Sequence, residues 1–476
     1  MKVRKGFGIL LAVSVALVSF GCEGETGPQG PPGPEGPEGP SGTVSEYAYQ
    51  GDFGSQCSHC HATTINDYVT TGHRFAYDDL AAGGEEGNLY CLQCHTTGFN
   101  CTVASGDTEI DPANCWEPAD GFSGYIGDTS DEGVARSADL EGVQCESCHG
   151  AMGPDFNAHS PDISFSTWDN SLCAGCHDAQ ITEWETSVHA LSAGGDPEAL
   201  TEEWGRSSCD YCHTSEGFIR TYDPSYATYE FGELLSQIGC PTCHDPHLGE
   251  NGGGNDAQLR TEDAVTLSYY APEDEDDAPT AEGYGPGQTC MQCHKARRNY
   301  DNVMGQIANG SGHFGPHSSP QTDMFIGAGS YEIPGYDYTD RYGTHATIVA
   351  EGCPTCHMAF SEDAGGHVVH DFRPSVDNCQ GCHPSATDFD VNGVQTEIHG
   401  KMDELAQLLG YIDGQDLADN LNDEFTGNQT WPEWQREAVY GFIFTWNSGD
   451  FGVHNQNYAN TLLDNAIAYT ETNLLP

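Results

Sequence analysis

Nine pentapeptides of the form Cys-x-x-Cys-His carry the chemistry legible in this chain. They begin at Cys57, Cys91, Cys145, Cys173, Cys209, Cys240, Cys290, Cys353 and Cys379. Their second thiols are Cys60, Cys94, Cys148, Cys176, Cys212, Cys243, Cys293, Cys356 and Cys382. Two thiols at this spacing can each add to one vinyl group of a haem. The following histidine then lies beneath the macrocycle as an axial ligand to the iron. Those histidines are His61, His95, His149, His177, His213, His244, His294, His357 and His383. One such pentapeptide could be chance or part of a zinc site; nine in 476 residues can be neither.

The sixth coordination positions draw on the other histidines. Of 21 histidines, nine end a motif and twelve are left. A chain so poor in cationic side chains has little other use for them. The expected distal ligands are His73, His159, His189, His247, His317, His345, His370 and His454. His159 follows the Cys145 motif by ten residues, close enough to face a neighbouring haem. His247 comes three residues after His244, a stagger that suits the next haem rather than its own. His73 and His189 close stretches with helical spacing. His59, His313, His367 and His399 rank lower, and one of these supplies a ninth ligand or one haem keeps an open position. Iron held by two histidines changes oxidation state with little reorganisation and offers substrate no site.

Elements that position these residues must be built from unusual material. Only 37% of residues are hydrophobic, and the motifs average about one per 50 residues. The macrocycles must therefore supply much of the apolar interior. The expected fold is mainly α with long loops, organised around packed haems, with a helical pack at the C-terminus. Gly- and Asp-rich inserts at 101–137, 249–287 and 301–345 read as surface loops. Residues 45–390 form the nonahaem region and 391–476 the C-terminal segment. There, 396–409, 432–446 and 458–474 carry helical spacing, with Thr430 and Pro432 as a helix-start signal.

Of 21 cysteines, 18 lie in the motifs, leaving Cys22, Cys101 and Cys115. Cys101 and Cys115 share one loop, and a local disulfide accounts for both. A disulfide and covalent haem both require an oxidising compartment. Lys2, Arg4 and Lys5 followed by an apolar run from Ile9 to Phe20 read as a signal peptide over 1–21. The run ends in Gly21-Cys22, so lipidation of Cys22 is expected, with ordinary secretory cleavage as the alternative. Residues 22–44 place glycine at 27, 30, 33, 36, 39 and 42, a collagen-type register read as a semi-rigid stalk. The address is an exported lipoprotein, periplasmic or at the cell surface, with the outer membrane favoured.

Charge narrows the partners. Asp and Glu number 73 against 15 Lys and Arg, a net charge of −58. Nucleic acid is excluded, because neutralising phosphates needs a basic face. Saline adaptation explains acids spread along the whole chain; steering towards basic redox partners is the functional alternative. The run Glu273 to Asp277 is ordinarily a solvated loop, with calcium binding as a secondary reading.

Several segments carry a family resemblance. Gly315-Pro-His-Ser-Ser-Pro-Gln321, Gly343-Thr-His345, Cys353-Pro-Thr-Cys-His-Met358, His367 with His370, Cys379 to His383 and Gly452-Val-His454-Asn-Gln-Asn-Tyr458 follow in order. This resembles the C-terminal half of the pentahaem nitrite reductase, hydroxylamine oxidoreductase and octahaem tetrathionate reductase group. Trp184 to Ala190 and Cys145 to Gly150 are similar to small tetrahaem carriers. The resemblance implies a mainly helical fold, with distal ligands drawn from remote segments. The nitrite and tetrathionate reductases bind their catalytic haem through a motif ending in Lys, and this chain has none. Their catalytic position falls on the Cys209, Cys212, His213 motif. In hydroxylamine oxidoreductase that haem has His and a tyrosine cross-link; Tyr331, Tyr336 and Tyr338 lie in the corresponding region. The resemblance thus implies a non-catalytic relative.

The leading expectation is electron transport to redox proteins, other multihaem cytochromes among them, or to an extracellular acceptor. An oxidoreductase of nitrogen or sulfur compounds with an open haem at Cys209 is the alternative. A haem filament is the third reading, which an anchor and stalk disfavour.

Overall fold

The computed structural model describes residues 49–475, except 53–56, 117–119, 152–169, 206–208, 224–225, 227–233, 256, 268–277, 362–365 and 423–430. The expected signal peptide, Cys22, stalk, His159, the acidic run at 273–277 and Thr430 lie outside these residues. Among the described residues the fold is mainly α, and sheet is confined to two short antiparallel pairs. Val265–Thr266 pairs with Thr280–Ala281, and Phe360–Ser361 with His367–Val368.

Each motif folds as a single helical turn or close to it. In seven of them the histidine N–H donates to the carbonyl of the first cysteine, at 2.7–3.2 Å. That i to i−4 bond places the two cysteines, three residues apart, on one side of the turn. The pentapeptide is thus folded locally before anything else packs on it. Longer helices lie between the motifs, Gly72–Ala82 and Pro197–Trp204 among them. Thr71 caps the first through its hydroxyl, which accepts from the Arg74 N–H, and Asp196 caps the second by accepting from the Glu198 N–H.

The end of the chain is built differently. Four helices, Val394–Leu408, Gly414–Asn422, Glu433–Ser448 and Gln456–Leu474, close around one large apolar core. Tyr440, Phe442, Phe444, Tyr458 and Leu463 are fully buried there. Each such side chain contributes about 1.5–3 kcal/mol by leaving water. Gly441 lets the last two long helices approach, since a Cβ there would meet Leu462 at 3.3 Å. Gly449 ends the helix from Glu433 in the left-handed region, at φ +73°. Val303, Ile307, Phe314, Met324 and Tyr331 join the same core. The stretch between the Cys290 and Cys353 motifs therefore shares its interior with the terminal helices. The expected helices are present with shifted ends, and Gly414–Asn422 is an addition. The long helix starts at Glu433 after Pro432, with no side-chain cap.

No helix among the described residues is long and apolar enough to cross a membrane.

Candidate functional site

Among the described residues, seven motif histidines face a second imidazole across a gap of nearly constant width. His73 lies 6.1 Å from His177, His247 6.0 Å from His149, and His189 6.2 Å from His294, between ring centres. His317 lies 6.0 Å from His213, and His370 6.3 Å from His244. His345 and His454 stand 6.3 Å from His383 and His357. Two metal–imidazole bonds of about 2 Å, plus about 1 Å from each nitrogen to its ring centre, also make about 6 Å. Directly packed rings come closer: Trp204 stacks on His213 at 4.1 Å. The gap fits one iron between two imidazoles, and the donor sets fit haem.

Nitrogen chemistry agrees. His95 Nδ1 lies 2.6 Å from the Ala76 carbonyl, His244 Nδ1 2.6 Å from Ala257 and His345 Nδ1 2.7 Å from Val453. His357 and His370 reach the Phe372 and Val368 carbonyls at 3.0 and 2.7 Å. A carbonyl only accepts, so each Nδ1 carries the proton and Nε2 keeps a lone pair for a metal. His317 Nδ1 meets Ser319 Oγ at 2.9 Å. That hydroxyl donates its own proton to the Lys295 carbonyl at 3.0 Å, so it accepts from His317. Burial, with neighbouring His177, lowers the His73 pKa to about 4. Burial also takes His189 and His317 down to about 4, helped by His294 and by Arg297 respectively. All three are neutral at pH 7, the form that binds metal.

Cysteine chemistry and the apolar surface point the same way. None of the eighteen motif cysteines is in a disulfide, whereas Cys101 and Cys115 are bonded to each other. Phe75, Tyr90, Leu172, Val188, Leu191 and Ile348 are exposed, and each lies within three residues of a motif or a paired histidine. Val188, beside His189, is 83% exposed. Apolar groups clustered beside ligand pairs are what a bound macrocycle would cover.

Other residues hold the ligands in place, and nothing in the sequence singled them out. Glu183 accepts from the His370 N–H at 2.8 Å and pairs with His367 Nε2 at 2.9 Å. Arg260, nearly buried, donates to the Pro241 carbonyl at 3.0 Å and pairs with Asp245 at 3.1 Å, fixing the turn from Cys240 to His247. Gln93, inside the second motif, bonds the Val103 N–H and carbonyl at 3.0 and 2.9 Å and so ties that motif to the disulfide loop.

His61 is exposed and His95 half-buried. His399 packs on Phe451 at 4.1 Å, and His59 and His313 are exposed. His213, at the position of the expected open site, is faced by His317. Tyr331 donates to Glu437 at 2.6 Å from within the C-terminal core, and the Tyr338 hydroxyl accepts from the Ile333 N–H at 2.9 Å. Tyr336 packs against Tyr469. These three tyrosines serve the C-terminal core and its edge.

Comparison with known proteins agrees with this geometry. Residues 172–245, which hold the Cys173, Cys209 and Cys240 motifs, match the family described as cytochrome c554 and c-prime. Over 128 residues the chain is 27% identical to multiheme cytochrome MtrA of Shewanella baltica (strain OS185). That match takes in 23% of this chain and 37% of the relative, so it spans little more than a third of the relative's length. The fold is similar to that in the crystal structure of outer cell wall cytochrome OcwA, with a TM-score of 0.50 and 17% identity. That likeness covers 89% of this chain and 99% of the other. In its motifs and its fold the chain is similar to multihaem c-type cytochromes.

Proposed function

We propose that this protein is an electron relay carrying nine covalent haems, most of them held between two histidines. The seven histidine pairs at 6.0–6.3 Å carry the reading. Bound haem supplies the one-electron chemistry. The chain's residues attach it, cap both axial positions, and fix the ligand tautomers through Nδ1. A capped iron has no place for substrate, which suits transport rather than catalysis. His159 is the remaining expected distal ligand.

An oxidoreductase is the second reading, and His317 opposite His213 takes the Cys209 motif away as its open site. This supports placing the chain among non-catalytic relatives of the nitrite reductase and hydroxylamine oxidoreductase group. Export as a lipoprotein through Cys22, with the stalk as spacer, belongs to the same proposal. The partners are then redox proteins or an extracellular acceptor.

Electron paramagnetic resonance of the oxidised, haem-loaded protein, with and without cyanide, tests the relay. Low-spin ferric signals unchanged by cyanide are expected. A high-spin signal from about one haem in nine, lost on adding cyanide, would replace the relay with an enzyme.

A further inference from the structure

Positive charge is scarce in this chain, and it gathers in one place. Of 15 Lys and Arg, three lie in the first five residues and three more within Lys295-Ala296-Arg297-Arg298, directly after His294. Six of the others, Arg74, Arg136, Arg220, Arg260, Arg341 and Lys401, are tied into ion pairs with carboxylates. The stretch 295–298 runs alongside the segment that carries His317. The Thr322 N–H donates to the His294 carbonyl at 2.9 Å, and the His317 N–H to the Ala296 carbonyl at 3.3 Å. Between them the Ser319 hydroxyl donates to the Lys295 carbonyl at 3.0 Å. Arg298 extends the match by donating to the His313 carbonyl at 2.5 Å. The two segments therefore pass in opposite directions, and Arg297 falls opposite the residues just before His317.

Arg297 is exposed and held at φ +66°, a left-handed conformation natural to glycine and costly for a residue with a side chain. Its charge reaches both rings of the facing pair. After burial, Arg297 is the strongest influence lowering the proton affinity of His213 and of His317. Trp204 lies flat on His213, 4.1 Å away and within 9° of parallel. It keeps water off that ring, so charges there are less screened. Of the acids nearby, Asp210 is paired with Arg220 at 3.7 Å, and Glu203 adds one negative charge. Asp323, which accepts from the Ala296 N–H at 2.7 Å, is raised by burial to about 7 and carries only a partial charge at neutral pH. Lys295, Arg297 and Arg298 together outweigh them.

We infer that the stretch from Lys295 to Arg298 is a cationic cradle for the haem between His213 and His317, and that it makes this centre the one of highest reduction potential, where the relay's electrons collect. The inference rests on the relay reading for its use. A ferric centre carries one more positive charge than its ferrous form, so neighbouring cations favour the ferrous state. Every macrocycle brings two propionates, and that negative charge is common to all of them. Arginine forks beside this pair can meet those carboxylates two-pronged. One electron moves per step, and no bond is made or broken. This centre is reduced as its neighbour is oxidised, and a reduced redox protein supplies the electron.

Spectroelectrochemical titration of the full haem-loaded chain tests the cradle. Arg297→Gln should move the highest-potential component downwards and leave the rest in place. Arg297→Lys keeps the charge and should restore it. Lys401→Gln, a charge removed from the terminal helices, should move none. A highest component that stays put in Arg297→Gln overturns the inference. So does a downward shift that Arg297→Lys fails to reverse, since geometry rather than charge would then be at work. Cys209→Ala with Cys212→Ala deletes this haem and should delete the highest component; loss of any other component overturns the assignment. A cyanide-binding high-spin signal would remove the relay reading without altering the order of potentials, so the two failures are distinguishable.

Discussion

The motif-rich region and the C-terminal helices solve the folding problem in opposite ways. Around the first three motifs the buried apolar cluster is small, comprising Tyr49, Leu80, Leu89, Leu92, Phe99, Cys101, Val103, Phe122 and Leu140. Apolar side chains such as Val188 and Leu191 stand exposed beside paired histidines instead. At the other end, whole helix faces interlock around Phe442, Phe444 and Tyr458, which are fully buried. One region has an interior that a bound group must complete, and the other completes its own. The cofactor is thus a structural member in the first region and a neighbour in the second.

Withholding haem should break this comparison open most widely. A chain produced without cytochrome maturation should lose slow amide exchange throughout 57–295. It should keep partial protection in 433–448 and 456–474. Hydrogen exchange followed by mass spectrometry reads this directly; equal loss in both regions would contradict the contrast. The next largest effect is local to the C-terminal core. Phe444→Ala removes a fully buried ring and should cost about 3–5 kcal/mol of stability. Chemical denaturation would measure the loss, while the low-spin haem spectrum at 25 °C stays unchanged. A matching loss of haem signal would show that the two interiors are one cooperative unit.

How much of this was legible in the sequence follows the range of the interactions. The motifs are readable because their chemistry is covalent and spans five residues, closed by one backbone bond from histidine to the first cysteine. The surplus histidines are readable as a set, because so acidic a chain gives them few other roles. Their pairing is not readable: His73 meets His177, and His189 meets His294, each across more than a hundred residues. Among the paired histidines only His247, three residues past its own motif, carried a local hint that it faces another one. The helices at 394–408 and 456–474 announce themselves by apolar periodicity. Gly414–Asn422 does not, because its buried apolar side chains, Leu417, Ala418 and Leu421, make too short a stripe to stand out. Glu183 and Ser319 act through single hydrogen bonds, and neither spacing nor composition marks such a bond.

A carboxylate on the border between the regions sharpens the contrast through pH. Asp323 is buried; it accepts from the Ala296 N–H at 2.7 Å, and its other oxygen has no hydrogen-bond partner. Burial raises its pKa to about 7, against the pull of backbone donors and of Lys295. A raised folded-state pKa favours the protonated form. The stability linked to it is full below about pH 4 and is lost as pH rises through about 7. Asp323→Asn keeps an acceptor for Ala296 and cannot ionise. Its stability advantage over the parent should therefore grow from near zero at pH 4 to a few kcal/mol at pH 8. Thermal unfolding across that range measures it, and a constant difference would show that Asp323 does not titrate there.

The smallest expected effect touches one ligand in the motif-rich region. Ser319 accepts the proton of His317 Nδ1 at 2.9 Å while donating its own to Lys295, so the imidazole opposite His213 is made a better electron donor. A more basic ligand favours ferric over ferrous iron. Ser319→Ala leaves that N–H without its acceptor and should raise one haem's potential. A neutral hydrogen bond is worth about 1 kcal/mol, which for one electron is a few tens of millivolts. Spectroelectrochemical titration should show a single component displaced upwards, with the low-spin signal count unchanged. No shift would mean that His317 is not bound to iron. A shift in several components at once would instead mean that Ser319 holds the Cys209 and Cys290 motifs against each other, since its hydroxyl also ties down the residue after His294.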